Sequence, residues 1–420
     1  MISTRLIAFL LALMLLALCR CTPAANTSGE VAAADLPVPE LTNLDGRLLA
    51  EIKAGGGAQV ERWAPAYARL IGRADSLLDA PLYAVTQKTG VPPSGDKHDY
   101  LSLAPYWWPD PEKEDGLPWI RRDGERNPRT AGLDVDVTAR RNAFGNFYHL
   151  SLAAYLSDRQ AYADRARQQL RTWFLDPETR MHPHLEYAQG IPGRNDGRCY
   201  GIIEFRAITE VITGVELLGF LGELTDAERE GFTSWISDYT DWLVSSELGR
   251  EEGSRHNNHG TWYDVQLVSM LRYLDRQEEA GAVLERAKTD RIAAHLAADG
   301  SQPEEIARTK SLSYSTMNLE GLTILAYHGK RMGIDLWNYQ DEEGVGLPDA
   351  YAYLRPYALG EREWTYPQLG DLAEVRRELR GQFLRAGSQM DEPDYCSEAM
   401  RGARSDSSLQ RLLYPCPGAR

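Results

Sequence analysis

The sequence predicts an all-α fold, specifically an α/α toroid: an incomplete barrel of antiparallel helix pairs with long loops forming a cleft. Three observations point there. Apolar residues recur at three- and four-residue spacing along most of the chain. The helical stretches come in pairs whose breaks recur at intervals of roughly 50 to 65 residues, the length of a helix pair plus a loop. The loops between pairs are long and rich in Trp, Pro, Gly and Arg, whereas solenoid loops are short and regular. Long decorated loops on one face of a helical ring build a cleft.

Each pair has its own signature. Residues 66–78 form a first amphipathic stretch. Residues 141–175 read as two helices joined at Ser157-Asp158, and 206–246 as two joined at Thr225-Asp226. Residues 261–296 break at Asp275, and 313–337 break at Gly329. Strand-like alternation is rare. The domain plan is a signal peptide over 1–21, a linker over 22–36, the toroid over 37–390 and an irregular tail over 391–420.

Arg5 followed by the apolar run Leu6 to Leu18 is shorter than the ~20 residues of a membrane span and fits a secretory leader. Cys19 and Cys21 leave lipid attachment open, with cleavage near 22–25 as the alternative. The expected location is periplasmic or secreted, with an outer-membrane lipoprotein as the lipidated case; membrane contact is expected only through that anchor. Export permits disulfides. Cys396 and Cys416 are placed to close a small loop, which leaves Cys199 buried or unpaired. The net charge of −15 argues against nucleic acid and, taken alone, against any polyanion. Oligomeric state is not legible.

Four loops carry chemistry. KHDYLSLAPYWWPDP (97–111) and GLPWIRRDGERNP (116–128) concentrate aromatics among prolines that forbid a helix. Tyr106, Trp107 and Trp108 read as a stacking platform for sugar rings, beside Arg121, Arg122 and Arg126. An aromatic plug is the structural alternative. His98 and Asp99 read as supporting groups. In MHPHLEYAQGIPGRNDGRCYG (181–201), Tyr187, Gln189, Arg194, Asn195 and Arg198 read as lining a polar cleft. The two histidines of HPH stand on a loop otherwise poor in ligands, so no metal is expected there.

RHNNHGTWYDVQ (255–266) places His256 and His259 on one helical face, but no carboxylate stands where a third metal ligand belongs. One of Asn257 and Asn258 caps the helix that starts near Thr261, which leaves His259 and the other amide free. Asn257 and Trp262 join the expected binding residues. In EEIARTKSLSYSTMNLEGL (304–322), Arg308, Lys310 and Tyr314 converge if 308–314 leads into a helix. No cofactor is implied.

An amide, a histidine, a tyrosine and an arginine suit β-elimination across a uronic acid. The C5 proton of a uronate is barely acidic while its carboxylate stays charged. Asn258 or Arg308 on that carboxylate would stabilise the enolate-like charge. His259 and Tyr314 would take the C5 proton and protonate the departing C4 oxygen. A neighbouring arginine is expected to lower the tyrosine from its ordinary value near 10. Paired carboxylates are not prominent, which disfavours a standard glycoside hydrolase, and no G-x-S-x-G elbow occurs.

KHDYLSLAPYWWPDP, GLPWIRRDGERNP, NNHGTWYDVQ and EIARTKSLSYSTMNL together resemble motifs of the alginate lyase superfamily of helical-barrel polysaccharide lyases, over about residues 80–370. The resemblance implies an α/α toroid, β-elimination of an acidic polysaccharide and no obligatory metal. By motif it assigns Asn258 to neutralising the carboxylate, His259 and Tyr314 to the base and acid, and Arg308 to the place beside that tyrosine. The Arg-to-Tyr spacing is slightly shorter than in the periplasmic mannuronate lyases, so the substrate is alginate, glucuronan or another uronate polymer. Syn or anti elimination, endo or exo action and the choice of base stay open. The alternatives are a hydrolase on the same scaffold using Asp196 or Asp264, and a non-catalytic glycan-binding protein. A uronate reading requires the loop cations Arg121, Arg122, Arg194, Arg198, Arg255, Arg308 and Lys310 to gather on one face, because salt screens the overall charge beyond ~8 Å.

Overall fold

The computed structural model describes residues 36–57, 59–399 and 408–415. The expected leader, its cysteines and Cys416 lie outside these. The described residues from Val38 onward form one compact unit. Its helices begin with α1 (Gly46–Ala54) and α2 (Ala64–Leu77). They continue as α3 (Val137–Ser157), α4 (Gln160–Leu170), α5 (Ile208–Phe220) and α6 (Asp226–Ser245). Next come α7 (Glu247–Gly253), α8 (Asn258–Tyr273), α9 (Gln277–Ala287), α10 (Pro303–Ile306) and α11 (Ser311–Met332). The last are α12 (Leu347–Ala358), α13 (Leu372–Gln389), α14 (Pro393–Ala399) and α15 (Leu409–Leu413).

Inner helices α3, α5, α8, α11 and α13 touch in that order, with α4 laid on α3, α6 and α9 on α8, and α12 on α11 and α13. This is the α/α toroid. Helix α8 is buried at every position from Gly260 to Leu271, as an inner helix must be.

Local chemistry sets the breaks. Asp158 and Asp275 adopt the left-handed conformation, at φ 55° and 58°, which short polar side chains tolerate best after glycine. Thr225 starts α6 with a capping box closed by Glu228. The expected break at Gly329 is not there: α11 runs to Met332 and ends at Gly333, at φ 74°. Gly329 instead serves packing, since a Cβ on it would lie 2.4 Å from the Ile334 carbonyl oxygen.

The tail from 391 also departs from expectation. It carries α14 and α15 rather than irregular chain. Tyr395 of α14 stacks on Tyr351 at 5.0 Å. Helix α15 touches both α13 and α2, so the end of the chain joins the last inner helix to the start of the array. Cys396 is disulfide-bonded, and Cys199 is free and buried. Among the described residues no helix is long and apolar enough to cross a membrane.

Two short ribbons shape the loops. β1 (Leu101–Leu103) pairs in parallel with β4 (Tyr187–Gly190), and β2 (Trp107–Trp108) pairs antiparallel with β3 (Ile120–Arg121). A buried ion pair anchors the first. Lys88 Nζ lies 2.9 Å from Asp136 Oδ2, both side chains being almost wholly shielded. Asp136 also accepts from the Leu101 backbone N–H at 2.8 Å, and so fixes the strand that leads to Tyr106. Burial pushes the Asp136 carboxyl up to about 7 in spite of Lys88, and burial lowers the ammonium.

Removing one member of a buried pair strands the other. Lys88→Met should therefore cost about 3 kcal/mol near pH 7, read as a lower urea midpoint at unchanged slope. Asp136 titrates higher in the folded chain than in the unfolded one, so acid favours its folded form. The deficit should shrink as the pH falls toward 5, where Asp136 takes up a proton. A deficit that grows on acidification would contradict this role.

Candidate functional site

Helix starts and loops converge on one cleft of about 840 Å³. Asn257 caps α8, accepting from the His259 backbone N–H at 3.1 Å. Helix α8 thus starts at Asn258, three residues earlier than expected, and the cap aims Asn258 and His259 at the cleft. Tyr314 sits in the first turn of α11, with Arg308 and Lys310 on the approach to it. Tyr106 enters from the β1–β2 loop, Trp107 from β2, Arg121 from β3, Gln189 from β4 and Arg198 from the loop after it. All eleven of these expected residues line the cleft.

Each polar group is held from behind. Glu252, fully buried, places Oε1 2.6 Å from His259 Nδ1. That contact makes Nδ1 the donor and leaves Nε2 to face the cleft. Asn258 gives Glu305 two bonds, from its backbone N–H at 2.6 Å and from Nδ2 at 2.7 Å. Its own Oδ1 has no partner. Burial raises the Glu305 carboxyl to about 7. Arg308 forks onto Asp123, with Nη2 to Oδ1 at 2.8 Å and Nε to Oδ2 at 3.2 Å. Burial opposes ionisation of Asp123, but the bonds from Arg308, Arg121 and Thr309 outweigh it and hold the carboxyl well below its ordinary range.

Tyr314 Oη donates to Tyr106 Oη at 2.8 Å and accepts from Arg308 Nη2 at 3.4 Å. The guanidinium also lies over the Tyr314 ring. The expected lowering of this phenol does not occur. Burial, followed by the Tyr106 hydroxyl, raises it above the ordinary value, and Arg308 offsets only part of that. Tyr314 therefore rests protonated.

Six expected residues are elsewhere. Trp108 donates Nε1 to the Glu125 carbonyl, and Arg122 lies over its ring. Arg194 and Asn195 are exposed, the first lying over Trp107 and the second closing its own turn onto Ile191. Tyr187 packs edge-on against His184. Trp262 is buried and donates to the Met317 carbonyl; it lines a smaller neighbouring hollow. Trp119 is core, so the aromatic plug is real for that ring.

Other cleft residues were invisible in the motifs. Tyr200 meets the His259 ring edge-on at 4.7 Å, between Arg198 and Arg255. Arg140 and Arg141 come from inner helix α3, and Arg206 from the turn before α5. With Arg121, Arg126, Arg198, Arg308 and Lys310 they set eight cations against Glu204, Glu320 and Glu378, so the cleft is positive in an acidic protein. Two of those carboxylates are engaged: Glu204 accepts from Tyr100 and Ser102, and Glu320 pairs with Arg385. Of the hydrolase candidates, Asp264 is buried against Arg291 and Asp196 is exposed; neither lines the cleft. A hollow of about 990 Å³ beside the N-terminal segment 38–48 holds none of the expected residues.

The HPH histidines do find a third group. Asp99 Oδ1 lies 2.7 Å from His182 Nδ1 and 3.0 Å from His184 Nε2. The loop is ligand-poor in sequence only.

The known proteins agree with this architecture. The family profile described as alginate lyase matches residues 84–364. No curated protein sequence matches the chain. The crystal structure of an alginate lyase from Bacteroides ovatus superposes with a TM-score of 0.86 at 33% identity, covering 90% of this chain and 99% of that one. Alginate lyase A1-III from Sphingomonas species A1 superposes with a TM-score of 0.53 at 18% identity, covering 84% and 97%. A variant of that enzyme complexed with a tetrasaccharide superposes at 0.52 and 16% identity, covering 84% and 96%. These last two likenesses speak to the fold. The profile match across two thirds of the chain, with the extensive likeness to the Bacteroides enzyme, places this polysaccharide lyase in the alginate lyase family.

Proposed function

We propose that the chain depolymerises alginate or a closely related polyuronate by β-elimination in the 840 Å³ cleft, with His259 as base and Tyr314 as acid. The observation that carries the assignment is the contrast between the two groups. His259 has Nδ1 fixed on buried Glu252, which leaves Nε2 to accept a proton and places a carboxylate behind the imidazolium that results. Tyr314 keeps its proton, raised by burial, and so suits donation better than abstraction.

The step runs as follows. The substrate carboxylate lies against the Asn258 amide, whose plane Glu305 fixes. His259 Nε2 takes the C5 proton, and charge spreads into the carboxylate as an enolate-like form. The C4–O bond then breaks, Tyr314 gives its proton to the leaving oxygen, and a C4–C5 double bond remains. Arg308 stabilises the phenolate left on Tyr314, and Asp123 holds it there. Protons return through solvent. Tyr106 and Trp107 offer ring faces for stacking, and the surplus of cleft cations attracts the polyanion. The N-terminal apolar run supports export, so the polymer is met outside the cytoplasm.

Ultraviolet absorbance of the new double bond reports the reaction directly. Digestion of polymannuronate, polyguluronate and glucuronan should give unsaturated products with at least one of them; reducing ends without unsaturation would mean hydrolysis. His259→Ala and Tyr314→Phe should each lower kcat by about 10²- to 10⁴-fold. A tyrosine variant that keeps full activity would overturn the assignment.

Glu252 is a positioning residue. Glu252→Gln keeps an acceptor for Nδ1 but removes the charge behind the imidazolium. It should lower kcat about 10- to 100-fold with KM nearly unchanged, since substrate never touches it. A change confined to KM would contradict that role.

A further inference from the structure

We propose that Asp99, His182 and His184 form a binding site for a divalent transition-metal ion, zinc by preference, which clips together the two loops that feed the cleft. This goes beyond the lyase reading and does not depend on it. The geometry is convergent. His182 Nδ1 and His184 Nε2 approach the same oxygen of Asp99, at 2.7 and 3.0 Å, and one donor atom from each residue falls within 4.8 Å of the others. Two imidazoles and a carboxylate are the donor set of open zinc sites, with water in the fourth position. Ligands around tetrahedral zinc lie ~3.3 Å apart at ordinary bond lengths. Each histidine nitrogen thus needs to move only a few tenths of an ångström from the Asp99 oxygen, and the two nitrogens already lie within 4.8 Å of each other.

The surroundings fit. Asp99 is 7% exposed, whereas His184 and His182 are 24% and 41% exposed, so the site has a buried anchor and an open side for water. The second oxygen of Asp99 accepts from Ser94 Oγ at 2.5 Å, an outer-shell bond that fixes the carboxylate. The rings are already aligned: His98 stacks on His182 at 5.3 Å, and His182 on His184 at 6.1 Å. Metal binding at His184 Nε2 would surrender one long contact, the 3.4 Å bond from the Glu186 backbone N–H to Nδ1.

Position gives the site its effect. Asp99 precedes β1 and the histidines precede β4, and these strands pair with Leu101 opposite Tyr187. Their far ends carry Tyr106 and Gln189 to the cleft. An ion here would tie residues 83 positions apart, at the root of the ribbon rather than at the reacting groups.

The test uses full-length protein freed of metal by a chelator and titrated calorimetrically with zinc chloride. The wild type should bind one equivalent with micromolar or tighter affinity, and its unfolding midpoint should rise by a few degrees in saturating zinc. His182→Asn with His184→Asn keeps hydrogen-bond donors for Asp99 but removes the imidazoles. That variant should bind at least 100-fold more weakly and lose the midpoint shift. His256→Ala should bind like the wild type. Cobalt added to the wild type should give the visible bands of a tetrahedral nitrogen–oxygen site, a readout that holds even if the double variant does not fold. Absence of zinc binding by the wild type, or equal binding by the double variant, would overturn the proposal.

Discussion

The site depends on three carboxylates behind it, two buried and one partly so. Glu252, Glu305 and Asp123 each hold one of the groups that face the cleft: His259, Asn258 and Arg308. A hydrogen bond to an ionised group contributes about 1.5–3 kcal/mol, and a buried charge left unpaired costs more than that. The Glu252 and Glu305 pairings are thus coupled to folding, and all three fix the orientation of a cleft group before any sugar arrives. That is preorganisation, in which donors are aimed in advance at charge yet to form. The carboxylates also set the proton inventory. Glu305 is raised to about 7 by burial, whereas Asp123, bound by Arg308, Arg121 and Thr309, is held low. The Asn258 partner can take up a proton near neutrality and the Arg308 partner cannot.

How much of this was legible follows from distance along the chain. Helix breaks are local events, so Asp158, Asp275 and the Thr225 capping box could be read in place. Gly329 was misread because glycine punctuates helices and also lets backbones approach; only the Ile334 carbonyl against it decides which. The tail was misread because its helices are five and seven residues long and take their stability from α13, α2 and Tyr351. The cleft quartet was legible through motifs at two helix starts. Its supports were not. Glu252 stands seven residues before His259 but on another helix, Glu305 is 47 residues from Asn258, and Asp123 is 185 from Arg308. Nothing in local spacing pairs them. Asp99 with the HPH loop is the same case at 83 residues.

The cation expectation resolved unevenly, and the reason is instructive. Arg121, Arg198, Arg308 and Lys310 line the cleft, and Arg122, Arg194 and Arg255 do not; ring contacts occur in both groups, with Arg198 and Arg255 over Tyr200, Arg308 over Tyr314, Arg122 over Trp108 and Arg194 over Trp107. A guanidinium over a ring face stiffens the aromatic while keeping its charge near the surface. Arg198 and Arg308 therefore serve twice, bracing an aromatic ring and presenting charge to the cleft.

The placement of these cations bears on how a chain of net charge −15 could take up a polyanion. Charges farther than a Debye length are screened, so the acidic exterior contributes little at the cleft in physiological salt. What acts there is the local balance, and inner helices α3 and the turn before α5 add Arg140, Arg141 and Arg206 to the loop cations. Arg206 is exposed and Arg140 half-buried, so both act on the cleft at short range, within a Debye length of anything bound there. A uniformly basic protein would attract polyuronate everywhere. A local surplus of cations in the cleft, set in an acidic exterior, would instead favour binding of a chain of sugar acids there, so that the exterior becomes part of the recognition rather than an obstacle to it.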